Sequence, residues 1–147
     1  MDRAALDAAL TLGLPCGGWC PKGRRAEDGT IPPRYPLQET PSKDAPQRTE
    51  WNVRDSDGTL ILARGVLSGG TAYTAACAKR LQRPCVVLDP TDAKAAATFQ
   101  RWVQEHRIRI LNVAGPRESQ NPGIGAQAAE LLRRVLVDRA EYLGGNR

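Results

Sequence analysis

A chain of 147 residues, 41% hydrophobic and 25% charged, has the size and composition of a single soluble globular domain. No run approaches the roughly 18 apolar residues that a membrane span needs, and Met1-Asp-Arg-Ala-Ala-Leu-Asp7 reads as an amphipathic helix, not an export signal, so a cytoplasmic location is expected. The net charge of +5 favours anionic partners, but the basic residues are scattered with little aromatic interleaving, which disfavours a nucleic-acid face and favours a small phosphorylated ligand.

Ala5, Leu6, Ala9 and Leu10 recur at helical spacing over residues 4–12, and Gly13 is placed to end that helix. A short strand ending near Trp19 is expected next, then a long irregular loop from Cys20 to Pro36. That loop carries Lys22, Gly23, Arg24 and Arg25, a candidate anion clamp because guanidinium groups suit phosphate; a solvated basic loop is the plainer alternative. Residues 37–40 read as another short strand. Asp44 suits the cap of a helix over 45–55, where Trp51 most simply serves packing.

Leu60, Ile61 and Leu62 form an apolar run that predicts a strand covered on both faces. Ser68-Gly69-Gly70-Thr71 then opens a helix reaching Leu81. A helix start presents unpaired N–H groups and partial positive charge, so bare glycine backbone flanked by two hydroxyls suits a phosphate. The alternative is an ordinary tight turn with Ser68 or Thr71 as an N-cap. Residues 83–88 predict a second apolar strand, and Thr91-Asp92 caps a helix with Ala96, Phe99, Trp102 and Val103 as its core stripe. Residues 108–114 predict a third strand. Its polar loop, Gly115-Pro116-Arg117-Glu118-Ser119, leads to a final helix with Ala128, Leu131, Leu132, Val135 and Leu136 on one face.

Strands alternating with helices imply an α/β domain over residues 1–147, an open parallel sheet with helices on both faces. Ligands bind such sheets beyond the carboxyl ends of the strands. The loops at 22–25, 68–71 and 115–119 are therefore expected to meet at one rim and form the site. Cys16, Cys20, Cys77 and Cys85 are spaced C-x3-C and C-x7-C, and His106 is the sole histidine, so four reduced thiols and no metal centre are expected.

Residues 2–7, 18–29, 35–40, 48–57, 68–71 and 112–119 together resemble the putative molybdenum carrier family, within the Rossmann-like group that includes phosphoribohydrolases. The resemblance spans nearly the whole chain in order. It implies binding of molybdenum cofactor (molybdopterin) or a related nucleotide-like molecule, with molybdoenzymes as acceptors. An oligomer of identical chains is also expected. Members of that family usually begin with a strand and a glycine-rich turn before the residues matching Asp2–Asp7; the chain is expected to lack that strand, through a start codon assigned too late. The related phosphoribohydrolases carry a glutamate three residues after the threonine of the glycine turn. Here Thr74 stands there, so a non-catalytic carrier is the leading expectation. The alternative is a nucleotide-processing hydrolase with Glu118, Glu27 or Asp28 as its acid or base.

Overall fold

The computed structural model describes residues 2–26 and 29–144. Its order is α1 (Asp2–Thr11), β1 (Trp19–Cys20), β2 (Arg25–Ala26), β3 (Gly29–Thr30), β4 (Gln38–Glu39), α2 (Ala45–Arg54), β5 (Gly58–Leu62), α3 (Gly69–Arg80), β6 (Cys85–Leu88), α4 (Ala95–His106), β7 (Leu111–Ala114) and α5 (Ile124–Gly144). The central element is β5, which pairs in parallel with β6 on one side and β7 on the other; Leu60 lies opposite Val86 and Val113.

Every residue of β5 is buried, which explains its uninterrupted apolar reading. Leu60 and Leu62 enter a cluster with Phe99 and Trp102 of α4, Ile108, and Ala128, Leu131, Leu132 and Val135 of α5. By strand alternation Thr59 and Ile61 face the other way, toward the side where α3 packs against α2 through Val53, Cys77 and Ala78. Helices thus cover both faces of a parallel sheet, as the sequence pattern predicts. A large apolar side chain fully buried in such a core contributes about 1.5–3 kcal/mol. Gly58 lets the first cluster close: a Cβ there would fall 2.6 Å from Ile108 Cδ1 and 2.9 Å from the Trp102 ring.

α1 lies along α5, and ends where Gly13 takes φ +69 while the Leu14 amide donates to the Ala9 carbonyl. β1 departs from expectation. It is not a strand of the central sheet but pairs in parallel with β4 as a separate two-stranded sheet. The cause is local: the Trp19 amide donates to Asn52 Oδ1, and Asn52 Nδ2 donates to the Trp19 carbonyl, so α2 occupies the edge of β1. Pro21, which has no amide to donate, stops it after two residues.

Candidate functional site

β5, β6 and β7 end on the same edge, and two of the three expected loops meet there. After β5 the chain runs through Ala63 and Arg64 to Ser68, which caps α3 in extended backbone (φ −143, ψ 166) without a side-chain hydrogen bond to the helix. Gly69 takes φ +52, a left-handed conformation that favours glycine. Gly70 needs no such licence, and a Cβ at either glycine would meet nothing within 4 Å, so the surface above the turn is open. A tight turn alone accounts for Gly69 but leaves Gly70 unexplained.

The amides of Gly69, Gly70 and Thr71 precede the first α3 bond closed from the Ala72 amide to the Ser68 carbonyl. Thr71 is 6% exposed and lines a shallow cleft with Arg64, Ser68, Pro116 and Asn121. Among the described residues its hydroxyl makes no hydrogen bond. Thr74, at the position of the related enzymes' glutamate, is buried and donates its hydroxyl to the Gly70 carbonyl at 2.9 Å.

The loop after β7 reaches the cleft through Pro116, which is buried, and Asn121, whose side-chain oxygen accepts the Arg64 amide at 3.3 Å. Arg64 Nη2 donates to the Pro122 carbonyl, while its Nε is buried without a partner. Arg64 lines the cleft, which sequence reading missed; its signal is its position, a lone arginine at the carboxyl end of the central strand. Glu118 has a different place from the one expected. Its carboxylate accepts the Gly123 and Gly125 amides and caps α5, and these bonds hold its carboxyl below the usual range. Gly125 makes room, since a Cβ there would lie 3.2 Å from Glu118 Oε2. Gly115 is half-buried, whereas Arg117 and Ser119 are exposed beside this cap.

Among the described residues, Lys22, Gly23 and Arg24 do not line this cleft. Lys22 is exposed, its amide donating to the Ser42 carbonyl. The Gly23 amide donates to Glu39 Oε1. Arg24 takes φ +54 and donates to the carbonyls of Ile31, Pro32, Tyr35 and Leu37, so it ties its own loop together and is not an open clamp. The Arg25 side chain, Glu27 and Asp28 lie outside the described residues. Trp19 and Trp51 stack edge-to-face at 4.7 Å, and the Trp19 indole donates to Asp55. All four cysteines are free thiols, and burial raises the pKa of Cys20 and Cys85. No cluster of three metal-ligating side chains occurs among the described residues.

A larger cavity of about 350 Å³ lies between α1 and α5, walled by Ala4, Ala8, Gly125 and Ala129 with Asp7, Thr11 and Arg133 as its polar groups. Asp7 is oriented by the Tyr35 hydroxyl, which donates to it at 2.8 Å and accepts from Arg34. Asn121, before α5, lines the cleft, and Gly125 in the first turn of α5 lines the cavity. The cavity has the volume of a ligand pocket, but the cleft holds the unpaired donors.

A parallel sheet clothed by helices, with glycine-bearing turns at the carboxyl ends of its strands, defines a Rossmann-like α/β protein of ligand-binding type. Within that class, the chain belongs to the circularly permutated YpsA SLOG family, whose model matches residues 1–136. It is also similar to the crystal structure of a "Putative molybdenum carrier protein" from Syntrophus aciditrophicus SB, at 46% identity and a TM-score of 0.89, over 92% of this chain and 87% of that one. No curated protein matches the chain. No described helix is long and apolar enough to cross a membrane.

Proposed function

We propose that this protein binds a small phosphorylated ligand at Ser68–Gly69–Gly70–Thr71 and carries it without cleaving it. The observation that carries this reading is the uncapped start of α3, with the largely buried Thr71 beside it keeping its hydroxyl unpaired. A phosphate there would receive backbone amides, the positive end of a helix and a hydroxyl. Molybdenum cofactor is the favoured ligand, in keeping with the name of the similar structure. Its phosphate would sit on the open surface above the Gly69–Gly70 turn, and its ring system would need a wider space such as the 350 Å³ cavity, where Asp7 offers an acceptor. Molybdoenzymes are the natural acceptors of such cargo.

The carrier reading is favoured over the hydrolase by the state of the carboxyl groups. Thr74 replaces the enzymes' glutamate, and Glu118 is engaged by two amides. Native mass spectrometry of protein isolated from its own host tests the proposal. A bound mass matching a phosphorylated pterin, lost in Gly70→Pro, is the expected result. Release of free base from nucleoside monophosphates, abolished by Glu118→Ala, would instead establish the enzyme.

A further inference from the structure

β6 is an outer strand, and the edge it turns away from β5 is bare. On the paired side the Thr59 amide donates to the Pro84 carbonyl and the Ala63 amide to the Leu88 carbonyl. A strand alternates the direction of its backbone groups, so Pro84, Val86 and Leu88 serve β5 while Cys85 and Val87 point theirs outward. Those outward amides and carbonyls have no partner among the described residues. Pro84 falls in the inward register and removes no outward donor. Sheets commonly guard such an edge with charge, a bulge or a covering segment. Cys85-Val86-Val87-Leu88 carries no charge and keeps unbroken register with β5, and Val87 is 47% exposed. The other outer strand, β7, has α1 beside it.

The ends of β6 carry opposite charge. Arg83 precedes it, exposed and without a hydrogen bond or ion pair among the described residues. Asp55 and Asp57, which feel its charge, are engaged by Arg54 and Trp19 and by the Arg109 and Ile110 amides. Asp89 follows the strand; the Thr91 amide and hydroxyl both donate to its Oδ1, which leaves Oδ2 unbonded among the described residues.

We infer that β6 is the seam at which two copies of this chain join, antiparallel, merging their sheets into one. Backbone direction and charge together select the register. Outward residues must face outward residues, which sets Cys85 opposite Val87 of the second copy and puts Val86 on the twofold axis. Each facing pair then exchanges two backbone hydrogen bonds. The same register sets Arg83 opposite Asp89 of the second copy at both ends, where cross-strand ion pairs stabilise. Pairing Val87 with Val87, or Cys85 with Cys85, also satisfies the backbone but leaves these charges unmatched. The clefts, formed after β5 and β7, open at opposite ends of the joined sheet, so the seam stands apart from the ligand reading.

Sedimentation equilibrium of the whole chain in reducing buffer tests this. Wild type is expected to be a dimer. Val87→Lys should weaken association about tenfold or more, because it places a charge at the seam, and Arg83→Ala about fivefold. Register is read by cross-linking. In Val87→Cys the introduced thiol faces Cys85 of the second copy at a Cα separation of about 5.5 Å, within disulfide range. Oxygen with copper–phenanthroline, taking two electrons and two protons from each thiol pair, should give a covalent dimer that is absent when Cys85→Ser is added. A monomeric wild type overturns the inference and leaves the edge to a strand of another protein. A dimer unchanged by Val87→Lys, or one whose Val87→Cys form yields no covalent dimer through Cys85, refutes it too. If Val87→Lys does not fold by circular dichroism, Arg83→Ala and the cross-link decide.

Discussion

α3 and α5 both begin at the carboxyl edge of one parallel sheet, each after a glycine-bearing loop, yet their first turns differ. At α5 the chain supplies its own anion: Glu118 closes the Gly123 and Gly125 amides. At α3 no side chain does so, although Ser68 is a residue type that commonly caps. The same physical device is thus used for stability at α5 and left unfilled at α3. A helix end that could be capped locally and is not, beside an unpaired Thr71 hydroxyl, differs from a helix end that the chain caps itself.

The largest disturbance should come from removing the platform that both turns share. Leu60→Ala, at a fully buried site, is expected to destabilise the fold by about 2–5 kcal/mol and weaken phosphate binding along with it; chemical denaturation measures the first and calorimetry the second. At α3 the two effects should separate. Thr71→Val should lower phosphate affinity several-fold with a melting temperature near that of wild type, because the hydroxyl has no partner within the fold to lose. At α5 they should separate the other way: Glu118→Gln should lower the melting temperature slightly and leave phosphate affinity within about twofold. A Glu118→Gln protein that loses binding would erase the distinction between the two turns.

The smallest effect is the pH dependence of that cap. Because the Glu118 carboxyl is lowered in the fold, the cap contributes fully above the carboxyl's unfolded pKa. The contribution fades as acid carries the pH down through the lower folded value. Asp57, lowered by the Ile110 and Arg109 amides, acts in the same direction. Wild type should therefore lose more stability than Glu118→Gln on acidification through the carboxylate range, measured by denaturation at stepped pH.

The sheet was legible because burial on two faces leaves a plain mark. Leu60–Leu62 cannot be read as a half-exposed strand, and the stripes at Phe99, Trp102 and at Ala128 to Val135 have one available surface to cover. The glycine turn was legible for a related reason, since Gly70 is bare where no packing demands it. What escaped was side-chain allegiance across long separations. Nothing near Trp19 announces that Asn52, 33 residues later, will occupy its edge and hold β1 away from the central sheet. Nothing near Arg24 states that its donors go to carbonyls, while Arg64, less conspicuous in a single-residue reading, keeps one donor free. Charge density in sequence locates arginines without saying which are already engaged.

The four carbonyls gathered by Arg24 have a dynamic consequence. They belong to residues 31 to 37, and one guanidinium reaches them all from the other end of the loop. Such a segment has little reason to open piecemeal: when the latch releases, several backbone groups lose their partner together. Residues 31–37 should therefore exchange amide hydrogens as one cooperative unit, governed by a single side chain and independent of the slower opening of the β5 core.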